Sequence, residues 1–148
     1  MELRVLTIED KREIALLFRD IFTHEPWNDD WSDSAQMEAY IDDLVGQGNS
    51  LAFGYYAGDR LLALALGSVR HWYAGTEFHI DEFCVDRQAQ RQGIGTAFLR
   101  AIEAFLPGKG IRRIFLLTDR HVPAYAFYLR NGFQVMPDMV SFVKEIGD

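Results

Sequence analysis

This sequence has one cysteine, four prolines, few basic residues and no long apolar run, and each scarcity removes a class of protein. The lone Cys84 closes no internal disulfide and supports no metal cluster, which fits a reducing compartment. The four histidines lack HxH or HExxH spacing, so no metal is expected. No apolar stretch approaches the roughly 20 residues of a membrane span. The opening MELRVLTIEDKREI carries charges where a signal peptide needs its apolar segment, so a cytoplasmic chain with no membrane partner is the expectation. A net charge of −7 counts against a nucleic-acid partner, because duplex binding relies on clustered Lys and Arg that displace counterions from phosphates. Repeats, low-complexity tracts and linkers are also missing, so residues 1–148 read as a single domain.

What remains is an ordinary globular composition, 49% hydrophobic and 25% charged, with clear periodicities. Leu3 to Thr7 reads as a short strand. A helix follows from about Ile8 to Phe22, with Ile14, Leu17, Phe18 and Ile21 on one face. The loop THEPWNDDWSDS leads to a second helix from about Ala35 to Val45, capped by Ser32 or Asp33. LAFGYY, LLALALGSVR and TEFHIDEFCV then read as three consecutive antiparallel strands. Thr96 to Leu106 is a helix closed by Pro107-Gly108, IRRIFLLT a buried strand, and AYAFYLRN a helix opened by Pro123 and ended at Gly132. Two closing strands are expected near Phe133 to Val135 and Met139 to Ile146. The result is a mixed α/β (α+β) fold, βααβββαβαββ, with about seven mostly antiparallel strands and about four helices.

The segment RQAQRQGIGTAFLR places Gly93 and Gly95 at the start of a helix, where close backbone approach, unpaired N–H groups and the helix dipole suit an anion. Arg87, Arg91 and Arg100 cluster around it. A P-loop is excluded because no GK[ST] follows and no lysine lies between Arg87 and Lys109. A dinucleotide loop is excluded by the missing third glycine and the long approach from Asp86 to Gln92.

QRQGIG, Gln90 to Gly95, resembles the Q/R-x-x-G-x-G/A acyl-CoA signature of the GCN5-related N-acetyltransferase (GNAT) superfamily. EFHIDEFCV is similar to that family's fourth strand, and AYAFYLRNGF to its later A-x-x-F-Y-x-x-x-G-F motif. The resemblance covers nearly the whole chain. It implies acetyl-CoA as co-substrate, with the coenzyme pyrophosphate held at Gln90, Arg91, Gln92, Gly93, Ile94, Gly95 and Thr96. It further implies a pantetheine arm along the backbone of Phe83, Cys84 and Val85, and Tyr128 as general acid toward the departing thiolate. Many members carry Asn where this chain has His121. That leaves His121 to replace it in orienting the coenzyme, to take part in proton transfer, or to stand by.

An ammonium acceptor must also lose a proton, and His79, Asp81 and Glu82 on the expected fourth strand are the candidate bases. Strand alternation puts His79 and Asp81 on one face with Phe83 and Val85, and Glu82 on the other with Cys84, unless a bulge intervenes. HEPWNDDWSD brings Trp27 and Trp31 together with Glu25, Asp29, Asp30 and Asp33. That composition suits a cationic amine, with Trp27, Asp30 and Trp31 as candidate substrate contacts. The expected activity is direct acetyl transfer to a small cationic metabolite such as a polyamine or aminoglycoside. A protein N-terminus or lysine as acceptor, a non-catalytic acyl-CoA sensor and a homodimeric state all stay open.

Overall fold

A computed structural model describes residues 1–147. Residues 1–117 form one compact unit, and the chain from Thr118 onward forms a second, smaller one. The first unit contains, in order, β1 (Glu2–Leu6), α1 (Lys11–Phe22), α2 (Ser34–Val45), β2 (Ser50–Ala57), β3 (Arg60–Trp72), β4 (Gly75–Val85), α3 (Ile94–Phe105) and β5 (Arg113–Leu116). The second unit contains α4 (Pro123–Arg130). The strands make one sheet in the order β1-β2-β3-β4-β5. All neighbours are antiparallel except β4 and β5, whose parallel pairing requires the crossover that α3 supplies.

Local chemistry fixes the helix starts that border the site. Thr7 and Asp10 make a reciprocal cap ahead of α1, with Asp10 Oδ2 accepting the Thr7 N–H at 2.8 Å. Asp33 caps α2 by accepting the Gln36 N–H at 3.1 Å. The apolar stripe of α1, Ile14, Phe18, Ile21 and Phe22, and that of α2, Met37, Ile41, Leu44 and Val45, are buried at helical spacing. They meet Leu64, Leu66 and Cys84 on one face of the sheet. On the other face Phe98 and Ile102 of α3 pack with Phe53, Ala63, Ala65, Phe78 and Ile80. With both faces covered, Leu61 to Gly67 of β3 is buried without interruption, which is why that strand reads as a continuous apolar run.

The element order agrees with the sequence expectation as far as Arg130, but the sheet has five strands rather than seven. Among the described residues, no strand forms between 133 and 147. Val140, Phe142, Val143 and Ile146 are 72, 94, 93 and 87% exposed. These segments are apolar without being alternating. A two-residue period would set Val140, Phe142 and Ile146 on one face with Lys144 among them, and Met139 and Val143 on the other with Ser141 and Glu145, so burying either face would bury a charge.

The detail that shapes the site is a register shift between β3 and β4. Leu66 pairs with Glu82 but Gly67 pairs with Ile80, so Asp81 is an extra residue bulging from β4. Phe78 and Ile80 before the bulge and Phe83 and Val85 after it therefore pack on the same α3 side. Glu77, His79, Glu82 and Cys84 consequently share the face toward α1 and α2. The close approach needs a residue without a side chain on β3, because a Cβ on Gly67 would lie 1.8 Å from the His79 carbonyl oxygen.

Candidate active site

Glu82 is the most perturbed carboxylate in the first unit. Burial against α2 pushes its pKa up to about 7, with the negative charges of Asp29 and Asp81 adding to the rise. The Tyr40 hydroxyl partly offsets this by donating to Glu82 Oε1 at 2.7 Å. Burial and the facing carboxyl in turn hold the Tyr40 phenol above its ordinary value, so it remains the donor. The Tyr40 ring stacks on Trp31 with centroids 5.4 Å apart and planes 13° from parallel, and it meets the Phe18 ring at 5.9 Å. The Trp31 Nε1–H is buried with no hydrogen-bond partner among the described residues. Asp43 adds its negative charge at Tyr40. Asp29, Asp43, Asp81 and Glu82 thus gather around two stacked aromatic rings, an arrangement that attracts cations.

The other two candidate bases stand differently. His79 Nε2 lies 2.8 Å from Glu77 Oε1, and its ring lies against Phe115 with centroids 4.8 Å apart. Glu77 is only 5% exposed and also holds Arg113 at 3.1 Å, so His79 belongs to a β4–β5 ion-pair group. The bulge turns His79 to the same face as Glu82, where strict alternation would have separated them. Asp81 is exposed at the bulge. Partial burial raises its pKa, while Arg70 and His79 pull it back. Of the acidic-loop residues, Trp31 reaches the Tyr40–Glu82 pair. Trp27 covers Phe22 with centroids 5.6 Å apart, and Asp30 accepts the Ser32 N–H at 3.0 Å within its own loop.

The glycine loop follows the C-terminal end of β4, three residues beyond Glu82. β3 pairs with β4 through Val85, whereas β5 pairs with it only from Glu77 to Ile80, so the β5 side leaves the ladder before the strand ends. Cys84 is buried, and burial pushes its thiol well above the ordinary range, which makes it a poor nucleophile. Phe83 stacks on Phe98 of α3 with centroids 5.4 Å apart, fastening the strand end to the helix that follows the loop. Gln90 Nε2 donates to the Val85 carbonyl at 3.1 Å and Gln92 Nε2 to the Gln88 carbonyl at 3.5 Å. Arg91 and Gly93 both adopt left-handed backbone, with φ of 64° and 76°.

Among the described residues no side chain caps α3, so the N–H groups of Ile94, Gly95 and Thr96 open the helix without a side-chain acceptor. Space above Gly93 is open, since a Cβ there would meet nothing within 4 Å. Arg91 makes no ion pair among the described residues. Arg87 is instead committed to Asp20 on α1 at 3.0 Å, which removes it from the cluster of cations read around this loop.

In the second unit, His121 is exposed just before α4. Tyr128 is buried, with its ring 5.4 Å from Phe127 and 5.2 Å from Phe133. The backbone carbonyl of Tyr128 accepts the N–H groups of Asn131 and Phe133 and so closes α4.

Sequence reasoning missed Tyr40. Helical spacing sets it beside Met37, Ile41 and Leu44, which signals the edge of the buried stripe, but its partner is 42 residues away. It also missed Asp43 and the requirement for glycine at position 67.

The pattern of the Acetyltransferase (GNAT) family matches residues 12–133. No curated protein matches the chain. Several solved structures share the fold. An aminoglycoside acetyltransferase from an uncultured soil metagenomic sample, solved with sisomicin, is 23% identical with a TM-score of 0.75, covering 99% of this chain and 96% of that one. A possible acetyltransferase from Clostridium difficile 630 is 17% identical with a TM-score of 0.82, covering 99% and 98%. AAC(6')-Iy, solved with the bisubstrate analogue CoA-S-monomethyl-acetylneamine, is 16% identical with a TM-score of 0.73, covering 98% and 98%. With the family pattern running through most of its length, the chain belongs to the acetyltransferase (GNAT) family.

Proposed function

We propose that this protein transfers an acetyl group from acetyl-CoA directly to a primary amine of a small cationic molecule, with aminoglycosides and polyamines as the leading classes. The observation that carries the reading is Glu82, a carboxyl whose pKa lies near 7 beside stacked Trp31 and Tyr40 and three further carboxylates. A base with that pKa balances availability against strength at neutral pH. The surrounding charges favour an acceptor that keeps a second positive group while its reacting amine is neutral.

The roles follow from the chemistry of each group. The uncapped N–H groups at Ile94, Gly95 and Thr96, with Gln90, Arg91, Gln92 and the open space at Gly93, suit the coenzyme pyrophosphate. The end of β4 at Phe83, Cys84 and Val85 suits the pantetheine arm in the manner of an added strand. His121 is assigned to the same arm. Glu82 takes the ammonium proton, directly or through a water. The freed amine attacks the thioester carbonyl, the N–C bond forms as the C–S bond breaks, and Tyr128 gives its proton to the departing thiolate. The second nitrogen proton leaves to water as the amide forms, and water returns a proton to Tyr128 and takes the one held by Glu82. His79, held by Glu77, and Asp81 at the bulge contribute to the field around the base.

The test is thiol release from acetyl-CoA with sisomicin, neamine, spermidine and a lysine peptide as acceptors. The expected result is turnover of a small cationic amine exceeding that of the peptide, falling about 10²-fold or more in Glu82→Gln. Tight coenzyme binding without turnover of any amine would reject the reading.

A further inference from the structure

We infer that Tyr40 is a positioning residue for Glu82: its hydroxyl fixes the carboxyl by one oxygen, and its ring ties that orientation to the Trp31 wall of the acceptor site. The inference rests on the proposed role of Glu82 as base. Its ground is geometric. The Tyr40 ring is stacked on Trp31 and set edgewise on Phe18, and its helix is anchored by Met37, Ile41 and Leu44 in the core. The hydroxyl therefore has one place to go, and it meets Glu82 Oε1 at 2.7 Å. A glutamate side chain carries considerable rotamer freedom, and a hydrogen bond from a fixed donor removes much of it before substrate arrives. With Oε1 engaged, the proton-accepting work falls to Oε2. Trp31 stacks on Tyr40, so the indole and the base are joined through one stacked contact and one hydrogen bond.

The same bond tunes how readily Glu82 loses its proton. Charged and titratable groups surround it from several elements: Asp29 from the loop before α2, Tyr40 from α2 with Asp43 acting on it, and Asp81 and Cys84 from β4. Arg70 of β3 and His79 act on Asp81. The negative neighbours favour the protonated form, and the Tyr40 hydroxyl is the group that favours the carboxylate. A hydrogen bond to a charged group is strong enough to move that balance by about one pH unit or more.

Tyr40→Phe keeps the ring and deletes only the hydroxyl. Two readouts are taken on the full chain: carboxyl NMR of carbon-labelled glutamate, with Glu82 assigned from its loss in Glu82→Gln, and the pH profile of kcat/KM for acetyl transfer to sisomicin. The inference expects the Glu82 midpoint and the acidic limb both to rise by about one pH unit in Tyr40→Phe. At pH 7 kcat/KM should fall about fivefold, with most of the loss recovered at pH 9. A Tyr40 that only packs would leave the midpoint and limb unmoved in Tyr40→Phe, because the ring contacts are kept, and that result overturns the inference. A Glu82→Gln variant that keeps its turnover overturns the base itself, while the NMR midpoint still reports whether Tyr40 acts on Glu82.

Discussion

Replacing Glu82 by Gln should stabilise this protein at alkaline pH while disabling it. In the unfolded chain Glu82 titrates near its ordinary value of 4.5, and in the fold its pKa is pushed up to about 7. The native state thus holds a proton that the unfolded state has released throughout that interval, and stability falls as pH rises from about 4.5 to 7. Integrated over the interval, burying this carboxylate costs about 3 kcal/mol at pH 8 and almost nothing at pH 4.5. Gln keeps the shape and still accepts the Tyr40 hydroxyl through its amide oxygen, but it carries no charge. Its amide N–H groups have to be satisfied at a cost of about 1 kcal/mol. The expected gain in Glu82→Gln is therefore about 2 kcal/mol at pH 8, turning to a loss of about 1 kcal/mol near pH 4.5. Urea unfolding of both proteins at the two pH values reads the difference directly, and titrating groups that do not interact with Glu82 cancel between them. An effect of Glu82→Gln that is the same at both pH values would refute the burial argument.

Other consequences concern the backbone. Gly67→Ala puts a Cβ 1.8 Å from the His79 carbonyl oxygen, so β3 and β4 have to part at the bulge. The cost is about 3 kcal/mol, and the melting temperature should drop by roughly 10 °C; a change under about 2 °C would show that the bulge accommodates a methyl group. Gly93→Val forces a β-branched residue into φ of 76°, at a cost of about 2 kcal/mol, while its Cβ points into open space. Calorimetry should show coenzyme A binding weakened about tenfold or more, and unchanged affinity would detach the loop from the coenzyme.

Most of the architecture was legible because the periodicities are strong. The stripes of α1 and α3 and the continuous apolar run of β3 each have one physical reading, and the cap of α2 reads as Ser32 or Asp33, of which Asp33 serves. The closing segments misled because Val140, Phe142 and Val143 supply β-forming residues without the alternation that would give them a buried face. In the candidate site, Glu82 was legible as one of three candidate bases with His79 and Asp81, Trp31 as one of three candidate contacts with Trp27 and Asp30, and the glycine loop by its spacing. What eluded sequence reasoning is long-range or sub-ångström. The Tyr40–Glu82 bond joins elements 42 residues apart, the bulge at Asp81 changes which side chains share a face, and Arg87 is taken by Asp20 on a distant helix. None of these leaves a local signal.

The most direct measurement is the pH dependence of kcat/KM for acetyl transfer from acetyl-CoA to sisomicin and spermidine, comparing the natural chain with Glu82→Gln. The account predicts turnover of at least one of these amines, an acidic limb with its midpoint near pH 7, and loss of about 10²-fold or more in the variant. Turnover that keeps the same limb and the same rate in Glu82→Gln would contradict it.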